Sequence, residues 1–123
     1  MIIIIYKNSK ELGDYGEKIA IQFLKSEGYT IIGKNFFSKY GEIDIIAEDK
    51  NEYVFIEVKT RTNQLYGAPV EAVDLNKQKH ILKTSKYFVY KYNIQNEYIR
   101  FDVIEIVINK NGININHIKN IFS

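Results

Sequence analysis

Two apolar segments carry charges where a β-sheet favours Val or Ile. Gly41-Glu42-Ile43-Asp44-Ile45-Ile46 is followed, after Asp49-Lys50-Asn51-Glu52, by Phe55-Ile56-Glu57-Val58-Lys59-Thr60-Arg61. The intervening polar residues have the composition of a hairpin turn. With that turn centred between Lys50 and Asn51, Asp44 faces Glu57 across the ladder, and the period-2 alternation of a strand puts Lys59 on the same face. Directly opposed carboxylates repel each other, and burying them without a counter-ion costs on the order of several kcal/mol. A divalent cation resolves the conflict, and all-oxygen ligands favour Mg2+ or Mn2+ over zinc. Two carboxylates and a lysine around such an ion are suited to phosphodiester hydrolysis, the lysine holding the attacking water or stabilising charge on a phosphate oxygen.

Other residues extend this set. Glu17 lies at the edge of an apolar helical stripe and is flanked by Gly13 and Gly16. Two glycines in one helix cost roughly 1 kcal/mol each relative to Ala, which suggests close approach of a strand or ligand on that side. By itself Glu17 also reads as a solvated acid near a helix N-terminus; beside Asp44 and Glu57 it becomes a third carboxylate for one metal. Glu42 shares the face of Asp44 nearer the strand end and reads as solvated or paired with a base. Arg61 continues the Glu57–Lys59 face outward, where it can meet a nucleic-acid backbone. Lys77, Gln78 and Lys79 open a lysine-rich helix that continues through Lys83 and Lys86; a solvated face is the alternative reading, and Lys77 and Gln78 are the members expected to point toward the site. His80 and His117 are isolated and lack the spacing of metal ligands. Arg100 and Asp102 share a strand face and can pair, in a structural or a substrate-lining role. No glycine-rich phosphate loop follows a strand, and no Ser/His/Asp or Cys/His arrangement suggests acyl transfer.

The elements that must position these residues follow from periodicity and breakers. A first helix spans residues 9–27, capped by Asn8 or Ser9 and ended by Gly28, with Leu12, Ile19, Ala20, Phe23 and Leu24 as its apolar stripe. Residues 29–37 read as a strand interrupted by Gly33, followed by the hairpin of 41–48 and 52–61 and a loop over 62–69. Asp74 can cap a second helix reaching about Tyr92, with Leu75, Gln78, Leu82, Ser85 and Val89 along one face. A strand over 98–109, the turn signal Asn109-Lys110-Asn111-Gly112 and a strand over 113–118 complete the chain. The order αβββαββ predicts an α/β fold, a central mixed sheet flanked by two long helices. The crossover from the 52–61 strand through the second helix to the 98–109 strand is right-handed if those strands are parallel.

The chain has 123 residues, 46% of them apolar and 26% charged, with a net charge of +2 and no cysteine. This fits one soluble domain over residues 1–123, permits a local basic patch without demanding nucleic acid, and excludes disulfides and thiolate metal sites. A reducing cytoplasm is the expected setting. Met1-Ile2-Ile3-Ile4-Ile5-Tyr6 is too short to span a bilayer and lacks the features of a signal peptide. Residues 1–7 are expected to add an edge strand or form a loose terminus, and no membrane association is expected.

Gly13-x-x-Gly16-Glu17-x-x-Ala20, Gly28-Tyr29, Asn35, Gly41-Glu42-Ile43-Asp44-Ile45-Ile46, Phe55-Ile56-Glu57-Val58-Lys59-Thr60-Arg61, Tyr66-Gly67, Lys77 and Arg100-Phe101-Asp102-Val103 together resemble the bacterial YraN-like uncharacterised protein family, UPF0102. The resemblance runs from about Lys10 to the C-terminus. It implies the restriction-endonuclease-like core of the PD-(D/E)XK nuclease superfamily, near the archaeal Holliday-junction resolvases. It also implies an active site of an acidic residue on the first helix, an Asp on the second core strand and Glu-x-Lys on the third, which match Glu17, Asp44, and Glu57 with Lys59. Magnesium or manganese is the implied cofactor. Ile43 stands where the superfamily motif has Pro.

Two function classes follow. One is a metal-dependent endonuclease or resolvase acting on branched or single-strand-containing DNA, with RNA cleavage not separable by sequence. The other is a non-catalytic nucleic-acid-binding module of a repair or recombination complex. Symmetric cutting of a four-way junction needs two active sites, so the first class implies a homodimer; the candidate contact regions are Met1–Tyr6 and the aromatic helix end at Tyr87, Phe88, Tyr90 and Tyr92.

Overall fold

The computed structural model describes residues 9–62, 75–95 and 98–122. The expected N-terminal edge strand, most of the 62–69 loop and the Asp74 cap lie outside these residues. The elements are α1 (Ser9–Ser26), β1 (Thr30–Ser38), β2 (Gly41–Asp49), β3 (Glu52–Arg61), α2 (Leu75–Lys91), β4 (Ile99–Asn109) and β5 (Gly112–Ile118). They form one five-stranded sheet in the order β1-β2-β3-β4-β5. Only the β3–β4 pair is parallel, and α2 connects those two strands. The sheet is mixed, as expected, and the architecture is consistent with a restriction-endonuclease-like core.

The helices cover opposite faces of the sheet. Ile45, Ala47, Val54, Ile56, Ile104 and Ile106 bury against Ala20 and Leu24 of α1. The alternate residues Ile46 and Phe55 pack with Phe88 of α2. The strands that carry these residues are apolar on both faces because both faces are covered.

Both helices end in the same way. The Tyr29 N–H donates to the Leu24 carbonyl at 2.9 Å and the Gly28 N–H to the Lys25 carbonyl at 3.1 Å, with Gly28 left-handed at φ 93°. After α2, Ile94 donates to Val89 and Asn93 to Tyr90, with Asn93 at φ 50°. Each is a Schellman cap that satisfies otherwise orphaned carbonyls.

Of the expected α2 face of Leu75, Gln78, Leu82, Ser85 and Val89, Ser85 is buried and Val89 partly so, but the buried stripe otherwise differs. Ile81, Thr84, Ser85 and Phe88 are buried, while Leu75 is 74% exposed. The Thr84 hydroxyl donates to the His80 carbonyl at 2.7 Å and the Ser85 hydroxyl to the Leu82 carbonyl at 2.8 Å. With their polar groups satisfied inside the helix, these short side chains can be buried, and α2 packs closely on β2.

Candidate functional site

The hairpin register is the one the turn dictates: Asp49 pairs with Glu52 and Ile45 with Ile56. Beyond Ile45↔Ile56 the ladder stops, although both strands continue. The first residues of β2 remain paired with β1, and the last of β3 remain paired with β4. Asp44 stands at the parting point. Its carboxylate accepts the Val58 N–H at 2.8 Å, filling the place of a backbone acceptor. Alternation slips there as well, since Ile43 joins the α2-side cluster with Ile46 while Ile45 packs toward α1. Asp44 therefore does not face Glu57 across a continuous ladder, as simple counting predicts.

The parting of β2 and β3 opens a cleft of about 350 Å³ that both helices border. Gly13 and Glu17 of α1, Glu42 and Asp44 of β2, Glu57 of β3, and Lys77 and His80 of α2 line it. Close approach of α1 is achieved at Gly16, where a Cβ would run into the Thr60 side chain. At Gly13 a Cβ would meet nothing, so of the two glycines only Gly16 is required by strand packing.

Burial, reinforced by carboxylate crowding, dominates the electrostatics. Burial, reinforced by the Glu57 charge, pushes the Asp44 carboxyl up to about 7 against the opposing Val58 hydrogen bond. Burial also raises Glu17, with help from Asp14 and Glu42, and Glu17 Oε1 is buried without a hydrogen-bond partner. Lys77 Nζ lies 2.8 Å from Glu57 Oε1. Burial disfavours the Lys77 charge, but the bond to Glu57 and the neighbouring carboxylates raise its pKa overall.

The expected site residues fall into two groups. Glu17, Asp44, Glu57 and Lys77 share the cleft. Lys59 stands outside its lining with Nζ 3.5 Å from Glu57 Oε1, farther than Lys77. Arg61 does not extend freely outward; its guanidinium is 3.5 Å from Glu105 and its side chain is 15% exposed. Lys79 is exposed and Gln78 half-buried on α2, and neither lines the cleft. Glu42 is exposed, in keeping with its solvated reading, and also lines the cleft; His80, expected to be isolated, lines it too. The even spacing of Glu42 and Asp44 was a signal for the first; nothing in the α2 sequence marked the second.

Arg100 and Asp102 pair as expected, in a buried structural cluster. Asp102 accepts from Arg100 Nε at 3.0 Å and the Asn120 N–H at 3.0 Å, and lies 2.7 Å from His117 Nε2. Arg100 also donates to the Tyr29 hydroxyl at 2.7 Å and reaches Asp49 at 3.5 Å. Burial opposes the Asp102 charge, but the bonds from His117, Arg100 and Asn120 hold its carboxyl below the ordinary range. His117 is thus not isolated: pairing opposite Ile104 brings it beside Asp102.

Comparison with known proteins places this architecture. The model of the uncharacterised protein family UPF0102 matches residues 16–106. The chain belongs to this family. A UPF0102 protein of Clostridium botulinum (strain Kyoto / Type A2) is 49% identical over 117 residues, covering 93% of this chain and 95% of the relative. A UPF0102 protein of Clostridioides difficile (strain 630) is 47% identical over 115 residues, covering 94% and 99%. The segment matched to UPF0102 contains every residue that lines the cleft except Gly13.

Among the described residues, no group of three His, Cys, Asp or Glu stands ready to hold a metal ion, and no helix is long and apolar enough to cross a membrane. The donor chemistry nevertheless suits a hard cation. The cleft gathers carboxylate oxygens that destabilise one another, and one of them, Glu17 Oε1, is buried and unpartnered. An ion bound at Glu57 Oε1 would compete with Lys77 for that oxygen.

Proposed function

We propose that this chain is a metal-dependent phosphodiester hydrolase of the PD-(D/E)XK type, acting on DNA as an endonuclease or resolvase. The observation that carries the reading is the convergence of Glu17, Asp44, Glu57 and Lys77 on one cleft at the point where β2 and β3 part. Asp44 and Glu57, with Glu17 directly or through water, would hold Mg2+ or Mn2+. A bound ion would supply charge neutralisation at the phosphate and a more acidic water. Lys59, beside Glu57, orients the attacking water or stabilises phosphate charge. Lys77, released from Glu57, offers a second cation to the phosphate backbone, and Lys79 a third on the exposed face of α2. Symmetric cutting of a branched substrate would bring two copies together.

A second reading, a nucleic-acid-binding module without turnover, draws support from the Lys77–Glu57 contact, which neutralises Glu57 without a metal. A nuclease assay with magnesium and with manganese, over duplex, single-stranded, flapped and four-way DNA, separates the two. The hydrolase cleaves at least one substrate and Asp44→Asn does not. Binding without cleavage by either protein selects the module.

A further inference from the structure

A second concave surface lies along the other half of α2. A groove of about 650 Å³ runs between β1 and the C-terminal end of the helix, and Phe36, Phe37, Tyr53, Phe88 and Tyr92 contribute rings to its lining. Phe37 is 67% exposed and Tyr92 53%, while the Tyr92 ring also packs on Phe88 at 4.8 Å between centres. The charged residues in the lining are Lys34 and Lys91, with no carboxylate; the Lys34 charge acts on Glu17 of α1. Lys91 Nζ lies 5.6 Å from the Tyr92 ring centre. Lys39, beside Tyr40 in the β1–β2 turn, and Lys83 of α2 both approach the Tyr40 ring, at 5.2 and 5.8 Å. That turn leads directly into Gly41 and Glu42 of the acidic cleft. His80 of the cleft and Phe88 of the groove stand on one face of α2, roughly 12 Å apart at about 1.5 Å of helix rise per residue.

Open rings bordered by lysines are the features with which proteins hold unpaired nucleotides: base faces stack on aromatics while the phosphates meet the cations. Two other features argue against a second copy of the chain as occupant. Among the described residues β1 is an edge strand, and it is irregular, with a register shift between Ile31 and Gly33 and Asn35 in the left-handed region at φ 51°; such devices discourage strand pairing. Two copies would also bring like-charged lysine rims together. The side-chain acceptors in the lining are Asn35, Tyr53 and Tyr92, a small set for the 2′-hydroxyls by which RNA is distinguished.

We propose that this groove binds an unpaired single-stranded DNA segment, and that Lys39 and Tyr40 of the β1–β2 turn, with Lys83 of α2, guide the same strand toward the acidic cleft. The binding stands on the groove; the guidance rests on the hydrolase reading above. It makes the substrate one with a single-stranded arm next to the scissile phosphate.

The test is fluorescence anisotropy of labelled dT20, a 20-base-pair duplex and rU20 in EDTA, where no metal-dependent cleavage occurs. The full-length chain should bind dT20 more tightly than duplex or rU20. Phe37→Ala and Tyr92→Ala, both on exposed side chains, should each weaken dT20 binding roughly tenfold with unchanged circular dichroism. Equal affinity of the variants, or preference for duplex or rU20, overturns the proposal. So does loss of a dimer on light scattering with dT20 affinity unchanged, which would assign the groove to a second copy. Removal of residues 1–8 that raises dT20 affinity more than tenfold would show the chain's own terminus to be the occupant, and would also overturn it. Tight dT20 binding with no cleavage of any substrate in metal refutes the hydrolase reading alone. Cleavage unaffected by both ring variants refutes the guidance alone.

Discussion

Asp44→Asn should stabilise the metal-free fold while abolishing its activity. The Asp44 carboxyl is displaced from an ordinary 3.8 to about 7, first by burial and then by the Glu57 charge. Each pH unit is worth about 1.4 kcal/mol, so keeping Asp44 ionised costs the native state at most about 4 kcal/mol at alkaline pH. Asn keeps an acceptor for the Val58 N–H but loses the charge assistance and brings its own amide to bury. A net gain of about 2 kcal/mol is expected, or roughly 6–10 °C in Tm for a domain of this size. The sign with pH is fixed. Between the unfolded and native pKa values the native state binds the extra proton, so its stability falls as pH rises toward 7, and above about 7 the full cost is present. The advantage of Asp44→Asn should therefore be small near pH 4, grow to pH 7 and level off. Urea denaturation in EDTA from pH 4 to pH 8.5 measures it, and the difference between the two proteins cancels groups they share. Manganese at pH 8 should raise the Tm of the wild type and leave the variant unmoved. A variant less stable than wild type at pH 8, or an advantage independent of pH, would refute the reasoning.

Four further outcomes are expected. Lys59→Ala should lose most turnover yet keep DNA affinity within about tenfold, about 1.4 kcal/mol, by parallel kinetics and anisotropy; normal cleavage would make Lys59 only a partner of Glu57. Asp102→Ala leaves Arg100 buried without its main partner and should cost about 3–5 kcal/mol by urea denaturation. Because the native Asp102 carboxyl is held low, its contribution is present above the ordinary 3.8 and is lost as pH falls through the native value, so the gap between wild type and Asp102→Ala should narrow in acid. Gly16→Ala should destabilise by about 1–3 kcal/mol through Thr60, whereas Gly13→Ala, with open space at its Cβ, should stabilise by about 0.5–1 kcal/mol; equal thermal shifts would contradict the packing described. For duplex DNA, log affinity against log salt should steepen by about 0.9 for each phosphate neutralised, and a salt-insensitive complex would point to another partner.

The parts of the molecule open to reading from sequence were those set by local rules. Turn composition and alternation were enough to pair Asp49 with Glu52, and Gly28 marked the end of α1. The break beyond Ile45↔Ile56 was not readable, because counting assumes an uninterrupted ladder and a side-chain acceptor for the Val58 N–H leaves no pattern in the residues. The buried face of α2 was ambiguous: Leu75, Leu82 and Val89 make one apolar phase, Ile81 and Phe88 another. Packing on the sheet selects the second because Thr84 and Ser85 satisfy their own hydroxyls. His117 was reachable. The Lys110–Asn111 turn sets Asn109 against Gly112, and counting onward puts His117 opposite Ile104, diagonal to Asp102. A search for metal-ligand spacing passes over a histidine whose partner is a single carboxylate on the neighbouring strand.

The β2–β3 hairpin behaves like a tuning fork. Its closed end is clamped, since Arg100 bridges Asp49 and Glu52 to Asp102 and Tyr29; its tines separate at Asp44 and Val58. One amide therefore registers what happens between the tines. The Val58 N–H is held by a carboxylate, so its proton resonance follows the charge on that carboxylate, where amides bonded to backbone carbonyls keep nearly constant partners. In an amide-resolved NMR titration, the Val58 peak would report the protonation of Asp44 and its capture by a cation at a single atom, without a label and without a substrate.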